Sequence, residues 1–312
     1  MKNTPPRIHA RFKERYLEIV DDWEKFEQCL LSQLPKSFRV NTLKASPAEV
    51  LEGFSGKGIK LRPVKWCPEA FECDDVRVSA TVEHFTGRIY FQELVSMLPP
   101  ESIRAELLES VQPRVLDAAA APGSKTTQLA ALMKNQGVII ANDSDFTRLK
   151  ALKANIEKTG AVNVVATNSD FRRFESREKF NFALLDAPCS SEGTIRKNWN
   201  ALTYWSEKRI FDFSRLQKQL LVRAFDLVEQ NGVLVYSTCT YAPEENEGVV
   251  EFLLKERENA SLEPVSFDGL KASPAVAEWK GRRFDERIGN ALRVWPHHND
   301  TGGFFLAKIR KV

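Results

Sequence analysis

The stretch at residues 114–133, RVLDAAAAPGSKTTQLAALM, constrains the fold of this chain more than any other. Branched apolar residues lead to Asp117, small residues follow as far as Gly123, and apolar residues then recur at helical spacing. This order predicts a strand, a tight turn and a helix. Small residues let a ligand approach the backbone of the turn, and the helix N-terminus offers free N–H groups. The turn is therefore a candidate cofactor loop, with a purely structural turn as the equal alternative.

Strands and helices alternate on both sides of this stretch. The predicted strands are at residues 114–118, 137–142, 162–167, 181–186, 232–238 and 303–309. The predicted helices between them are at residues 124–134, 146–159, 214–229 and 244–257. The alternation predicts an α/β fold with a doubly wound, mainly parallel sheet, whose ligands bind at the C-terminal ends of the strands.

The chain before this sheet has a different pattern. Residues 7–34 have the apolar spacing of one or two amphipathic helices. A helix capped by Ser46 follows, together with short predicted strands at residues 38–42, 59–64, 70–71, 76–78 and 88–91. We therefore expect N-terminal helices at residues 1–35, a small α+β module at 36–90 and the large sheet domain at 91–312.

Composition limits the cellular setting and the cofactors. The net charge of +3 is too small to identify a polyanionic partner. Five cysteines form no CxxC pair and four histidines show no ligand spacing, so we expect no metal. Widely spaced cysteines and a start without an apolar leader indicate a reducing cytoplasm. No apolar run approaches the ~20 residues needed to span a bilayer, so we expect a soluble protein that does not enter a membrane.

Polar residues follow the second and third predicted strands of the sheet. Asp143 ends the second, where a carboxylate commonly holds ribose hydroxyls. Its alternative role is a cap for the next helix, but Ser144 and Asp145 are also available for capping. Asp170 closes the third strand, where the turn is suited either to hydrogen bonding an adenine amine or to a structural role.

The fourth and fifth predicted strands deliver Asp186, Cys189 and Cys239. Because the C-terminal ends of neighbouring parallel strands share one edge of a sheet, we expect the two thiols to meet. Cysteines are more often inert buried residues, and that interpretation is kept for the other three, Cys29, Cys67 and Cys73. For Cys189 and Cys239 the strand-end position favours a chemical role.

Four ordered segments carry a family resemblance: DAAAAPGSKT, LLDAPCSSEGTIRKN, LVYSTCTYAPEENE and PHHNDTGGFF. Together they resemble the Sun/Fmu, or RsmB/RsmF-type, family of RNA cytosine methyltransferases, which use S-adenosylmethionine to methylate carbon 5. The upstream segments FRVNTLK and TVEHFTGRIYFQELVSMLPP are similar to the bacterial 16S rRNA branch of RsmF type. The resemblance covers roughly residues 36–312. It implies a class I, Rossmann-like S-adenosylmethionine-dependent methyltransferase with a small N-terminal α+β module.

The resemblance also implies roles for particular residues. Cys239 is the expected nucleophile toward carbon 6 of cytosine, Asp186 stabilises the protonated N3, and Cys189 assists release of the product. The residues expected to bind the cofactor are Ala119, Ala120, Ala121, Pro122, Gly123, Ser124, Lys125, Asp143, Arg148, Asp170 and Asp186. Residues 243–247 are expected to buttress the site, although a capping acidic run explains them almost as well.

RNA is the partner that the resemblance implies, with the target cytosine unpaired or flipped out of its stack. We expect Arg196 and Lys197 to meet phosphates beside that base, and Arg39 and Asn41 to line the same channel. The sequence ends at Val312 without the RNA-binding extension of the 16S-specific relatives. The predicted substrate is 16S rRNA, and the alternative is tRNA, methylated by an enzyme of minimal architecture. In either case we expect a monomer.

Two other classes of protein were weighed. A non-catalytic RNA-binding assembly factor is disfavoured because binding alone needs neither Cys189 nor Cys239. A dehydrogenase that binds a dinucleotide is disfavoured because the loop reads APGSK and not GxGxxG.

Overall fold

A computed structural model describes residues 7–312, and the first six residues of the predicted N-terminal segment lie outside the described part. Two helices open the described chain as expected, α1 (Ala10–Tyr16) and α2 (Trp23–Leu30). Asp22 caps α2 by accepting the N–H of Lys25, and the inward aromatic side chains of both helices are fully buried. The two helices therefore pack as amphipathic elements.

A four-stranded antiparallel sheet follows, with strand order β2-β3-β1-β4. The strands are β1 (Ser37–Val40), β2 (Arg62–Pro63), β3 (Ala70–Glu72) and β4 (Ile89–Phe91), and the helices are α3 (Pro47–Gly56) and α4 (Val82–Phe85). Ser46 and Glu49 form a capping box at the start of α3, as predicted. The strand predicted at 76–78 is wrong. It is a 3₁₀ helix, because the Asp75 side chain accepts the Arg77 N–H and turns the chain there.

Two short helices connect this module to the large sheet, α5 (Leu98–Glu101) and α6 (Arg104–Glu109). Five parallel strands form the centre of that sheet in the order β9-β8-β5-β6-β7. They are β5 (Arg114–Asp117), β6 (Val138–Asn142), β7 (Val164–Thr167), β8 (Phe180–Asp186) and β9 (Val228–Thr238). The predicted mainly parallel α/β sheet is thus confirmed.

Helices cover both faces of the parallel sheet. They are α7 (Ser124–Leu132), α8 (Phe146–Thr159), α10 (Glu207–Leu227) and α11 (Glu247–Glu256), while two one-turn helices, α9 (Asn200–Thr203) and α12 (Pro296–Asn299), lie in the connections before α10 and before β15. Neighbouring residues of β5 enter different cores: Leu116 packs with α10 and α11, whereas Val115 packs with α7. Helix α10 begins earlier than the predicted residue 214, because Ser206 caps it by accepting the Arg209 N–H.

Antiparallel strands extend the sheet beyond β9, and the sequence predicted only the last of them. They are β10 (Ala260–Glu263), β11 (Ser273–Pro274), β14 (Leu292–Val294) and β15 (Phe304–Lys311), while β12 (Glu278–Trp279) and β13 (Arg282–Arg283) pair only with each other in a separate hairpin. Strand β15 pairs with β9, with Phe305 opposite Thr238. This pairing brings residues 302–304 beside the end of β9. Within residues 7–312, no helix has both the length and the apolar character that crossing a bilayer requires.

Candidate active site

A cavity of about 560 Å³ lies at the C-terminal ends of β5, β8 and β9. The start of β15 and the segments at residues 33–37 and 90–96 close its other sides. Of the predicted site residues, nine line this cavity: Ala119, Ala120, Ala121, Pro122, Ser124, Lys125, Arg148, Asp186 and Cys239. The cofactor loop and the expected nucleophile therefore open into one space.

The two strand-end thiols meet, as expected from the parallel strands. The Sγ atoms of Cys189 and Cys239 lie 3.3 Å apart, within hydrogen-bond distance for sulfur. Cys189 is buried, whereas Cys239 is partly exposed and lines the cavity. The pKa of Cys189 is raised well above its usual value, first by the hydrogen bond with Cys239 and then by burial. Burial and the neighbouring sulfur thus both favour the protonated form of Cys189.

Asp186 and Lys125 form an ion pair at the cavity wall. Lys125 Nζ lies 2.7 Å from Asp186 Oδ2 and donates also to Ser96 Oγ at 2.9 Å. The other carboxylate oxygen, Asp186 Oδ1, accepts a hydrogen bond from Ser237 on β9 at 2.8 Å. The carboxylate is thus fixed from two sides while a third of it stays exposed.

The loop after β5 has a shape and chemistry that fit S-adenosylmethionine. Gly123 has a φ of 103°, and a Cβ there would lie 2.8 Å from Leu152 on α8, so only glycine brings the loop this close to α8. Asp117 lines the cavity at its base, and burial raises the pKa of its carboxyl to about 6. Its Oδ2 accepts from Thr126, whereas Oδ1 is buried without a partner, a free acceptor for a cationic ammonium group.

Three predicted cofactor residues have other surroundings. Asp143 is buried behind the loop, where its carboxylate accepts the N–H groups of Ala121 and Asp145. Arg148 bonds the carbonyl of Ala121 and lies 3.6 Å from Asp143. The Asp170 carboxylate is paired with Arg172, and neither Asp143 nor Asp170 lines the cavity. Ribose and adenine binding by these residues stays a prediction.

Two buried carboxylates lie behind the cysteine loops. Glu192 accepts hydrogen bonds from the hydroxyls of Tyr16 and Thr240, at 2.7 and 2.8 Å. Glu245 accepts the Ser190 N–H at 3.0 Å, and Ser190 Oγ lies 2.7 Å from Thr240 Oγ1. Because Ser190 and Thr240 follow the two cysteines directly, these bonds tie the two loops together. This contact is consistent with the expected buttressing by residues 243–247.

Glycine contacts also hold the strand end that carries Cys239, and sequence reasoning missed them. The Gly193 N–H donates to the Cys239 carbonyl at 2.8 Å, and the Gly193 carbonyl accepts from Gly303 at 3.0 Å. A Cβ on Gly303 would lie 2.1 Å from the Tyr241 ring. Glu93 was missed as well. Its carboxylate lines the cavity and accepts the N–H groups of Gly302 and Ser96.

Three of the four residues expected to face RNA are placed differently. Arg196 is buried, and its guanidinium donates to acceptors that include the carbonyls of Thr301 and Gln33, so it is no free phosphate ligand. Arg39 and Asn41 do not line the cavity. They are buried at the contact between the N-terminal sheet and the large domain, because their donors meet carbonyl and hydroxyl groups there. Lys197 is exposed at the cavity rim, as expected.

Two groups of side chains among residues 7–312 have the composition of metal ligands. One is Asp21 with His297 and His298, and the other is Cys67 with Glu69 and Glu101. Each histidine Nε2 lies 2.8 Å from one Asp21 oxygen, a hydrogen-bond distance, and this contact joins the α1–α2 segment to α12. The expectation of no metal stays a prediction.

The parallel sheet, the glycine turn and the cavity at the strand ends define the class of S-adenosylmethionine-dependent methyltransferases. A family model described as 16S rRNA methyltransferase RsmB/F matches residues 106–310. A second, the N-terminal domain of 16S rRNA methyltransferase RsmF, matches residues 8–94. The chain belongs to the RsmB/F family of RNA cytosine methyltransferases, which confirms the predicted family, fold class, enzyme class and cofactor.

Individual relatives agree with this assignment. The chain is 42% identical to the tRNA (cytosine(49)-C(5))-methyltransferase of Pyrococcus abyssi, over 98% of this chain and 97% of that protein. It is 42% identical to ribosomal RNA small subunit methyltransferase F of Vibrio parahaemolyticus, over 92% of this chain but only 59% of the relative. A methyltransferase homolog from Pyrococcus horikoshii superposes with a TM-score of 0.86, at 35% identity over 97% of this chain and 95% of that one.

Proposed function

We propose that this enzyme methylates carbon 5 of a cytosine in RNA through a covalent bond between Cys239 and carbon 6 of the base. The observation that carries the proposal is the pair of thiols 3.3 Å apart, of which Cys239 lines the cofactor cavity and Cys189 lies behind it. Binding of RNA or of a cofactor alone needs no such pair. The neighbouring thiol of Cys189 also supplies the hydrogen-bond donor that stabilises a cysteine nucleophile as a thiolate.

Cys239 must react as a thiolate, since the neutral thiol is a poor nucleophile. A Cys189 thiol that keeps its proton donates a hydrogen bond to the Cys239 sulfur and thereby stabilises negative charge on it. In this proposal the two sulfurs share one negative charge, and it resides on the sulfur that faces the cavity. Cys239 is the proposed nucleophile for this reason.

The addition step moves one electron pair across the base. The Cys239 thiolate forms a bond to carbon 6, the carbon 5–carbon 6 double bond opens, and N3 takes a proton from solvent. Asp186 is the proposed partner of N3, because its carboxylate is fixed by Lys125 and Ser237 and remains partly open to the cavity. Carbon 5 then carries the electron density that accepts a methyl group.

Product release requires loss of the proton on carbon 5. Once the Cys239 sulfur is bonded to carbon, it no longer accepts the Cys189 proton as a thiolate, and the largest cause that raises the pKa of Cys189 is gone. The Cys189 thiol can then release its own proton to solvent, and the resulting thiolate takes the proton from carbon 5. The double bond re-forms, the sulfur–carbon 6 bond breaks, Cys239 leaves as a thiolate, and N3 returns its proton to solvent. One methyl group has entered and one proton has left.

The cofactor supplies the methyl group as a sulfonium. The residues proposed to hold it are the loop at 119–125, with Asp117 toward a positively charged group and Arg148 at the rim. Asp143 is proposed to fix the loop and to approach the ribose, and Asp170 remains the proposed adenine ligand. In this reading Asp186 faces the reacting base.

Two RNA classes are proposed as substrates, 16S rRNA and tRNA. The specific observation in favour of tRNA is the P. abyssi enzyme, whose named activity is on a tRNA cytosine and which is similar along nearly its whole length. The chain spans about three fifths of the rRNA relatives. We further propose that the protein acts as a monomer in the cytoplasm, where its five free cysteines stay reduced. We also propose that the protein is organised as N-terminal helices at residues 1–35, a small α+β module at 36–90 and the methyltransferase domain at 91–312.

The test uses labelled S-adenosylmethionine with tRNA or small-subunit rRNA that lacks modification. Wild-type protein is expected to form 5-methylcytosine, and Cys239→Ser is expected to abolish turnover while cofactor binding persists. Cys189→Ala is expected to accumulate an RNA–protein adduct that survives a denaturing gel, because the carbon 5 proton stays in place. Cys29→Ser, at a cysteine that does not line the cavity, is the matched control and should retain activity. Full activity of Cys239→Ser, or no adduct with Cys189→Ala, would overturn the assigned roles.

A further inference from the structure

Glu245 is a buried carboxyl group that the methyl-transfer scheme does not use. It is completely buried, and its three side-chain hydrogen-bond contacts are with the neutral donors of Ser190, Gln217 and Thr240. Among residues 7–312, no lysine, arginine or histidine forms an ion pair with it. Burial and the nearby Glu192 raise the pKa of Glu245 to about 7.

Glu245 touches both cysteine loops at the residue after each cysteine. Its Oε2 accepts the backbone N–H of Ser190, 3.0 Å away, and its Oε1 lies 3.4 Å from Thr240 Oγ1. Ser190 and Thr240 are also bonded to each other through their hydroxyls. A change in the charge of Glu245 therefore changes the electrostatic potential at the peptide that follows Cys189.

Glu245 is held more closely to the loop of Cys189 than to the loop of Cys239. Gln217 donates both to Glu245 Oε2 and to the Pro188 carbonyl, each at 2.9 Å, so the carboxylate is linked to the residues on both sides of Cys189, whereas its contact with Thr240 is 3.4 Å long. Repulsion by Glu245 is among the causes that raise the pKa of Cys189, after Cys239 itself and burial. The backbone N–H that donates to Glu245 belongs to Ser190, the residue directly after Cys189. A negative Glu245 thus makes a thiolate at Cys189 less favourable and leaves the cavity-facing sulfur as the site of the shared charge.

We propose that Glu245 is a positioning residue that keeps the single negative charge of the thiol pair on Cys239, by repelling a thiolate at Cys189 and by holding the Ser190 amide beside it. The inference rests on the proposed function, which makes Cys239 the nucleophile. Besides Glu245, the titratable groups that face this cluster are Cys239, Glu192 and Tyr236.

The proposal predicts a pH dependence in the free enzyme. When a pair of thiols shares one negative charge, the ratio between the two thiolate forms does not by itself depend on pH. Glu245 changes that ratio, because it gains its negative charge as the pH rises through about 7. Reactivity of Cys239 relative to Cys189 should therefore increase across that pH range.

The experiment measures initial rates of alkylation by iodoacetamide at each cysteine, by mass spectrometry, without RNA or cofactor. Wild-type protein should show the ratio of Cys239 to Cys189 labelling rise between pH 6 and pH 8 as the pKa of Glu245 is passed, by roughly threefold to tenfold. Glu245→Gln keeps the size and the hydrogen-bond partners but removes the charge, and its ratio should be low and independent of pH. Ser190→Ala, which loses only the hydroxyl contact with Thr240, is the matched control and should keep the rise.

The proposal is overturned if the ratio of Cys239 to Cys189 labelling in wild-type protein does not change with pH. It is also overturned if Glu245→Gln has native near-ultraviolet circular dichroism and shows the same labelling ratio as wild type. If the variant does not fold, the wild-type profile decides the question by itself. Failure of methyl transfer leaves the labelling result intact, and an active methyltransferase with a constant ratio overturns this inference alone.

Discussion

Replacing Gly193 by alanine tests how closely the backbone of the proposed nucleophile is held. The Gly193 N–H donates to the Cys239 carbonyl, and its own carbonyl accepts from Gly303, so the glycine bridges β9 and the segment that enters β15. A Cβ on Gly193 would lie 2.1 Å from the Gly303 carbonyl oxygen and 2.8 Å from its carbon. Both are backbone atoms, which cannot move aside as a flexible side chain would.

The size of the effect follows from that distance. Carbon and oxygen atoms that do not form a bond stay about 3.3 Å apart or more, so the two segments must separate by about 1 Å. Overpacking of this kind lowers the free energy of unfolding by about 1–3 kcal/mol. Because Gly193 carries the hydrogen bond to Cys239, the displacement reaches the reacting group, and a misplacement of about 1 Å can lower kcat on the order of 100-fold.

The assay compares kcat for methyl transfer, cofactor affinity and thermal unfolding of Gly193→Ala with those of Gly289→Ala. A Cβ at Gly289 meets no atom within 4 Å, so this control carries the same chemical change without the contact. Gly193→Ala should lose most of kcat but keep cofactor affinity, since the loop at 119–125 is on another strand. Wild-type kcat in a folded Gly193→Ala protein would refute the reasoning.

Two further changes test the cofactor cavity and the contact between the domains. The free energy of unfolding of Asp117→Asn should rise relative to that of wild type as the pH increases from 4 to 8, by up to about 3 kcal/mol. The pKa of the buried Asp117 carboxyl is raised, so the wild-type carboxyl does not oppose folding while it is protonated but does once it is charged. Urea unfolding at both pH values measures this, and an equal difference at each pH would contradict it. Arg39→Met should lower the free energy of unfolding by about 2–4 kcal/mol, since Gln92, Thr127 and Ser124 lose a buried hydrogen-bond donor. The control, Arg62→Met, removes an exposed ion pair and should lower it by about 1 kcal/mol or less. Similar losses in the two arginine variants would show that Arg39 does not join the domains.

Local signals in the sequence predicted the elements that depend on neighbouring residues. The bounds of α8 agree with the predicted 146–159, because Asp145 caps its start and Gly160, with a φ of 75°, ends it. The meeting of Cys189 and Cys239 followed from topology alone, since parallel neighbouring strands end at one edge. These predictions needed no knowledge of packing.

Contacts between distant segments explain the failures. Arg196 reads as a surface cation beside the DAPCSS turn, yet its acceptors lie more than 100 residues away along the chain. Glu93 and Gly193 likewise gain their roles from residues 302–303, which reach the cavity only through the pairing of β15 with β9. No periodicity or capping pattern in the local sequence reports such contacts.

The acidic segment 244–247 contains two carboxylates that form buried ion pairs and a third, Glu245, to which we assign a role at the thiol pair. Glu244 pairs with Arg15 and Glu247 pairs with Arg293, so each of these charges is neutralised by a buried arginine. Glu245 is as fully buried as Glu247 but has neutral partners, and an unpaired buried charge opposes folding. A third arginine or an apolar residue would remove that cost. Because the unpaired carboxyl lies directly behind the two thiols, the charge is best explained by what it does to them, and not by what it contributes to stability.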